Sequence, residues 1–221
     1  MGKLAFLFPG QGSQAVGMGK QLAENNKEVA NVFAKADEVL QDSLSEVIFE
    51  GPQEKLTLTT NAQPALLTTS FAILTALKEY DITPDFVAGH SLGEYSALVA
   101  AGAITFEDAV YAVRKRGEYM EEAVPGGEGA MAAILGADPH MLKQVTEEVT
   151  SEGYAVQIAN MNSTKQIVIS GTKQGVEIAS QRAKENGAKR AIPLKVSGPF
   201  HSSLMKPAAE KFQSVLKEIT I

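Results

Sequence analysis

Phe86-Val87-Ala88-Gly89-His90-Ser91-Leu92-Gly93-Glu94 is the stretch that decides the fold. Phe86-Val87-Ala88 reads as a short buried strand, and Leu92 to Ala101 as the helix after it, closed by Gly102. Between them, Gly89-His90-Ser91-Leu92-Gly93 fits G-x-S-x-G. A sharp strand-to-helix turn of this kind lifts the serine oxygen above the sheet, and its glycines relieve crowding around the strained turn. The start of the helix beneath Ser91 also favours negative charge developing on a bound acyl group.

Upstream, Leu4 to Phe8 is a short apolar run stopped by Pro9-Gly10, which predicts another buried strand entering a tight turn. The stretch from Pro64 to Tyr80 has helical spacing, with Pro64 suited to a first turn, and Thr83-Pro84 ends it. Downstream, Thr105 with Asp108 three residues on resembles a capping box and opens a helix through Ala123. Strands alternating with helices predict a parallel sheet with helices on both faces.

The pattern changes at Val124-Pro125-Gly126-Gly127. The spacing then predicts strand (130–135), helix (139–150), strand (154–160), strand (166–170), helix (173–186) and strand (189–194), the β-α-β-β-α-β order of a ferredoxin-like arrangement. The expected architecture is α/β: a hydrolase-like, parallel-sheet core formed by 1–124 and 196–221, with a ferredoxin-like α+β subdomain inserted at 125–195. Lys206 to Ile219 reads as a helix. A parallel sheet with strands only near Leu4 and Phe86 is underbuilt, so the core is expected to need further C-terminal strands.

The 221 residues are 44% hydrophobic and 21% charged, ordinary for a water-soluble globular chain, and the longest apolar runs are far short of a membrane span. The chain has no cysteine, which removes disulfides, a thiolate nucleophile and any cysteine metal site. Three scattered histidines, His90, His140 and His201, predict no metal centre. A net charge of -6 repels nucleic acid, and no basic stripe with interleaved aromatics offsets it. A cytoplasmic monomer without a bound cofactor is expected.

A serine hydroxyl needs a base. His201, in the loop Val196-Ser197-Gly198-Pro199-Phe200-His201-Ser202, is the best candidate. His140 starts a subdomain helix, and His90 adjoins the nucleophile on a turn where neighbouring side chains diverge. No acidic residue stands out to orient His201, a task that a backbone carbonyl can perform. The backbone N–H of Leu92 is one oxyanion donor by geometry. Pro9-Gly10-Gln11-Gly12-Ser13-Gln14 is placed to supply a second through the Gln11 backbone; it lacks the Gly-Lys-Ser/Thr of a P-loop and the third glycine of a dinucleotide fingerprint. At about 100° per residue, the helix from Phe106 puts Arg116 on the same arc as Ala109, Val110, Val113, Met120 and Ala123, and Lys115 opposite. An arginine on a core-facing surface needs an anionic partner. An internal carboxylate and a substrate carboxylate satisfy that need equally well.

Several segments resemble landmarks of the malonyl-CoA:acyl carrier protein transacylase family of bacterial type II fatty acid synthesis: Phe8-Pro9-Gly10-Gln11-Gly12-Ser13-Gln14, Thr60-Asn61-Ala62-Gln63-Pro64-Ala65-Leu66, Gly89-His90-Ser91-Leu92-Gly93-Glu94, Arg114-Lys115-Arg116-Gly117 and Gly198-Pro199-Phe200-His201-Ser202. The resemblance implies malonyl-CoA as substrate and acyl carrier protein as partner. It makes Ser91 the acylated nucleophile, His201 its base, the Gln11 and Leu92 amides the oxyanion hole, and Arg116 the grip on the malonyl carboxylate. Phe200, before the base, looks like the malonyl-selecting choice. Family members continue beyond this chain's last residue, adding core strands and a glutamine whose backbone helps orient the histidine. Two other readings compete: a serine hydrolase using the same elbow, and a non-catalytic carrier-binding domain docking through Lys184, Lys189 and Arg190.

Overall fold

The computed structural model describes residues 2–124, 127–194, 196 and 198–221. They form two compact units, Met1–Glu118 with Phe212–Ile221, and Tyr119–Lys211. No described helix is long and apolar enough to cross a membrane.

In the first unit, β1 (Ala5–Phe8) and β2 (Phe86–Gly89) pair in parallel, with Ala5 opposite Phe86 and Phe8 opposite Gly89. Helix α5 (Thr59–Leu77) is the centre of the unit, buried on nearly every side from Asn61 to Ser70. It starts five residues before Pro64, so the proline lies inside the helix and not at its first turn. Pro64 has no N–H to donate, which leaves Thr60 without that intrahelical bond. Around α5 pack α1 (Lys20–Asn25), α2 (Lys27–Leu40), α3 (Leu44–Glu50) and α4 (Gln53–Thr57), a stretch for which sequence spacing predicted no elements. Helix α2 shows why it forms: the Asn26 side chain accepts from the Val29 N–H, and Val29, Val32, Phe33 and Ala36 recur on one buried face. Helices α6 (Gly93–Ala100) and α7 (Phe106–Glu122) complete the unit, α7 running four residues into the second. The Thr105 hydroxyl caps α7 by accepting from the Asp108 N–H at 3.1 Å.

The two strands are not the buried strands that their apolar runs predict. Leu7 is 77% exposed and Phe86 60%, and only Phe8 is buried in the pair. Among the described residues each strand has one neighbour, which leaves each an unpaired outer edge.

The second unit holds β3 (Gly129–Leu135), α8 (Pro139–Ser151), β4 (Val156–Ser163), β5 (Gln166–Thr172), α9 (Lys173–Glu185) and β6 (Arg190–Pro193). The strands form one antiparallel sheet in the order β4-β5-β3-β6. Alternation splits its faces. Ala132, Ile134, Ile167 and Ile169 pack with Leu142, Val145 and Val149 of α8 and Val176, Ala179 and Ala183 of α9. Met131, Ala133 and Val168 pack on the other face with Met120, Phe200, Met205 and Ala208, the last from α10 (Lys206–Glu218). Sequence places the domain borders at 124/125 and 195/196, whereas the compact units divide after Glu118 and after Lys211. The second apolar cluster accounts for the shift, because it ties residues on both sides of the expected insert to the antiparallel sheet. Pro125, Gly126, Lys195 and Ser197, which those border readings include, lie outside the described residues.

Candidate active site

The elbow is built by close packing that only glycine permits. A Cβ on Gly89 would run into the Gly93 carbonyl, and one on Gly93 into the Phe8 carbonyl, so neither position tolerates a side chain without backbone movement. Parallel pairing carries the chain on from β1 and β2 at the same sheet end, where the His90 N–H donates to the Phe8 carbonyl at 3.0 Å. Gly10 then passes so near His90 that a Cβ would sit 2.6 Å from its carbonyl oxygen. Ser91 at the apex has φ 53°, a left-handed conformation that costs a non-glycine residue about 1 kcal/mol or more. Such strain in a serine between two sterically required glycines is the local signature of a nucleophile elbow.

Arg116 reaches this apex. Its Nη2 donates to the Ser91 Oγ at 3.2 Å and its Nη1 to the Gln63 Oε1 at 2.8 Å, and its guanidinium lies 5.7 Å from the centre of the Tyr95 ring. Burial holds its pKa below the ordinary guanidinium value, against the opposing pull of Tyr95 and Glu94. Burial likewise pushes the Tyr95 hydroxyl above its ordinary value, against the pull of Arg116. No carboxylate among the described residues forms an ion pair with Arg116. Its side-chain partners are a neutral amide and a hydroxyl, so a cation has been drawn from water without an anion to offset the loss. Lys115, on the opposite side of α7, pairs with Glu118 at 2.7 Å.

The Gln11 side chain donates to the Thr59 hydroxyl at 3.1 Å, which anchors the loop after β1 to the start of α5. Gly12 follows with φ 108°, so the glycine flank that frees the Gln11 backbone is used as a left-handed turn. Leu92 is buried as the residue that leads into α6. Among the described residues, no group of three or more His, Asp and Glu is arranged to hold a metal.

His201 and Phe200 belong to the second unit. His201 is exposed with φ 59°, in the left-handed region like Ser91. The Ser202 hydroxyl fixes the turn that carries it, donating to the Pro199 carbonyl at 2.7 Å and accepting from the Leu204 N–H. The Ser203 N–H donates to the Gln157 Oε1 at 2.8 Å, tying the same loop to β4. Phe200 is 6% exposed, its ring set in the cluster around Met120 and Met131. His140 is exposed at the start of α8, where Asp138 caps the helix.

Sequence reasoning singled out Ser91 and Arg116, and the structure joins them by a hydrogen bond. It gave no role to Gln63, Tyr95 or Thr59. An Asn-x-Gln pair in a stretch otherwise apolar enough to be core was the available signal, because a buried amide must have a partner.

A strained serine on a strand-to-helix turn, beside a partly buried arginine that no described carboxylate pairs, is the setting of an acyltransferase site. Residues 5–221 match the acyl transferase domain family. The chain is 70% identical over 216 residues to the malonyl CoA-acyl carrier protein transacylase of Bacillus subtilis (strain 168), covering 98% of this chain and 68% of that protein. A solved type II PKS acyl-carrier protein in complex with its malonyl-transacylase superposes with a TM-score of 0.95 at 47% identity, over 99% of this chain and 71% of the other. The enzyme from Streptococcus pneumoniae gives 0.94 at 46% identity, over 99% and 71%. The chain therefore belongs to the malonyl CoA-acyl carrier protein transacylase family.

Proposed function

We propose that this chain transfers a malonyl group from coenzyme A to the phosphopantetheine thiol of an acyl carrier protein through an ester on Ser91, with no bound cofactor. His201 takes the proton from the Ser91 Oγ, which attacks the thioester carbonyl. The Gln11 and Leu92 amides receive the negative charge on the carbonyl oxygen. The C–S bond breaks, and coenzyme A leaves as the thiol with the proton from His201. In the second half-reaction His201 deprotonates the carrier's thiol, the thiolate attacks the ester, and the proton returns to the Ser91 oxygen. Phe200, its ring already fixed by packing, fills the space a methyl branch on the malonyl group would need.

The observation that carries this reading is Arg116. Its hydrogen bond to Ser91 puts a forked cation within reach of an acyl group on that serine, and a carboxylate accepts both prongs where the amide and hydroxyl accept one each. The second unit supports a protein partner: its β-α-β-β-α-β order and β4-β5-β3-β6 pairing fit a ferredoxin-like subdomain, and the exposed Lys184, Lys189 and Arg190 suit an acidic carrier. Arg116→Ala is expected to cut kcat/KM for malonyl-CoA by about 10²–10³, the scale of an unpaired buried charge, and to change acetyl-CoA turnover far less. Equal losses for the two substrates would remove the carboxylate clamp. Release of free malonate without carrier, as fast as transfer with it, would make the chain a hydrolase.

A further inference from the structure

The helix that carries Arg116 touches α5 at a glycine. A Cβ on Gly117 would lie 2.8 Å from the Thr59 carbonyl oxygen and 2.9 Å from the Thr60 Cα, so the two backbones meet there without side chains between them. Helical geometry puts Arg114 and Arg116 on either side of that contact, about 60° and 100° around α7 from Gly117. The same arithmetic puts Asn61 and Gln63 on either side of Thr60 on α5. Each arginine grips the amide on its own side: Arg114 Nη1 donates to the Asn61 Oδ1 at 3.1 Å, and Arg116 Nη1 to the Gln63 Oε1 at 2.8 Å.

The outer grip is itself anchored at both ends. The Asn61 Nδ2 donates to the Lys55 carbonyl at 2.9 Å, which turns its oxygen towards Arg114. Arg114 Nη2 donates to the Asp42 carboxylate at 3.1 Å, so its charge is already paired, unlike that of Arg116. Two bonds straddling a bare backbone contact oppose rotation of α7 about its own axis; either one alone leaves the contact as a pivot. A roll of about 10° moves a group about 7 Å from the axis by about 1 Å, and misplacements of that size cost about 10²-fold at a reacting centre.

We propose that Arg114, through Asn61, is a positioning residue that sets the roll of α7 and so aims Arg116 at the acyl group on Ser91. The inference rests on the function proposed above, because it assigns Arg114 to the malonyl preference and not to chemistry. Its test is the ratio of kcat/KM for malonyl-CoA to that for acetyl-CoA, counted per serine able to take up labelled acyl group so that unfolded protein drops out. Arg114→Met and Asn61→Ala are each expected to lower that ratio about tenfold, mainly through a higher KM for malonyl-CoA. Arg114→Lys, which keeps the charge without the fork, should lie between them and wild type. In an Arg116→Ala background neither substitution should change the ratio further. Fewer titratable serines with an unchanged ratio in both variants would make Arg114 a plain structural residue and overturn the proposal. So would a fall in ratio that persists undiminished without Arg116. A wild-type chain that accepts no malonyl group on Ser91 would instead bring down the functional reading, and this inference with it.

Discussion

The two units treat arginine in opposite ways. In the second, Arg182 of α9 meets Glu152 through both prongs at 2.7 Å, in the open, with its pKa raised chiefly by that hydrogen bond. In the first, Arg116 has a similar fork and is partly buried against an amide, a hydroxyl and an aromatic ring. The interior between α8, α9 and the antiparallel sheet is lined mainly by aliphatic side chains, with Thr146 a buried exception, whereas α5 in the first unit buries Thr59, Asn61, Gln63 and Thr68 along one helix. A solvated ion pair contributes little to stability. A desolvated cation with only neutral partners is costly, and folding has no use for it. The difference sets an arginine answered by an exposed carboxylate against one held beside Ser91 by neutral groups.

The largest effect is expected at the elbow. Gly89→Ala places a methyl group inside the Gly93 backbone, and is expected to abolish acyl uptake on Ser91 whether or not the chain stays folded, read by mass after incubation with malonyl-CoA. Arg116→Lys keeps the charge but loses the fork, so the malonyl-to-acetyl ratio should fall about tenfold or more, with acetyl transfer little changed. Leu142→Ala empties a fully buried position between α8 and the sheet. It should destabilise the protein by about 2–5 kcal/mol in denaturant titration and leave the substrate preference of the folded fraction alone. Arg182→Ala should be the quietest change, with turnover unaltered and little shift in the thermal midpoint. A preference change from Leu142→Ala, or a large loss of stability from Arg182→Ala, would erase the contrast between the units.

Legibility in the sequence follows from how local each cause is. The elbow was readable because strand, glycine-flanked serine and helix are consecutive, and Arg116 because a single helix repeat places it among apolar neighbours. The β-α-β-β-α-β order was readable because its strands alternate and its helices carry their own caps, as Asp138 and Thr172 do. The exposure of Leu7 and Phe86 was not readable, because an apolar run reports what a strand is suited to cover and not what covers it. Before α5, helices α1, α3 and α4 have only 6, 7 and 5 residues, too few for a periodic pattern to show, whereas α2 carries a local cap at Asn26 and an apolar face at Val29, Val32, Phe33 and Ala36 that was legible. The roles of Gln63 and Asn61 were not legible, since their partners lie 53 residues away on α7.

A covalent malonyl ester on Ser91 would be visible in the intact mass of the protein. The wild-type chain is incubated briefly with malonyl-CoA beside Ser91→Ala, and a carrier-protein thiol is then added. One malonyl adduct is expected on the wild type, none on the variant, and its discharge onto the carrier. An adduct of equal yield on Ser91→Ala, or carrier malonylation with Ser91 removed, would contradict it.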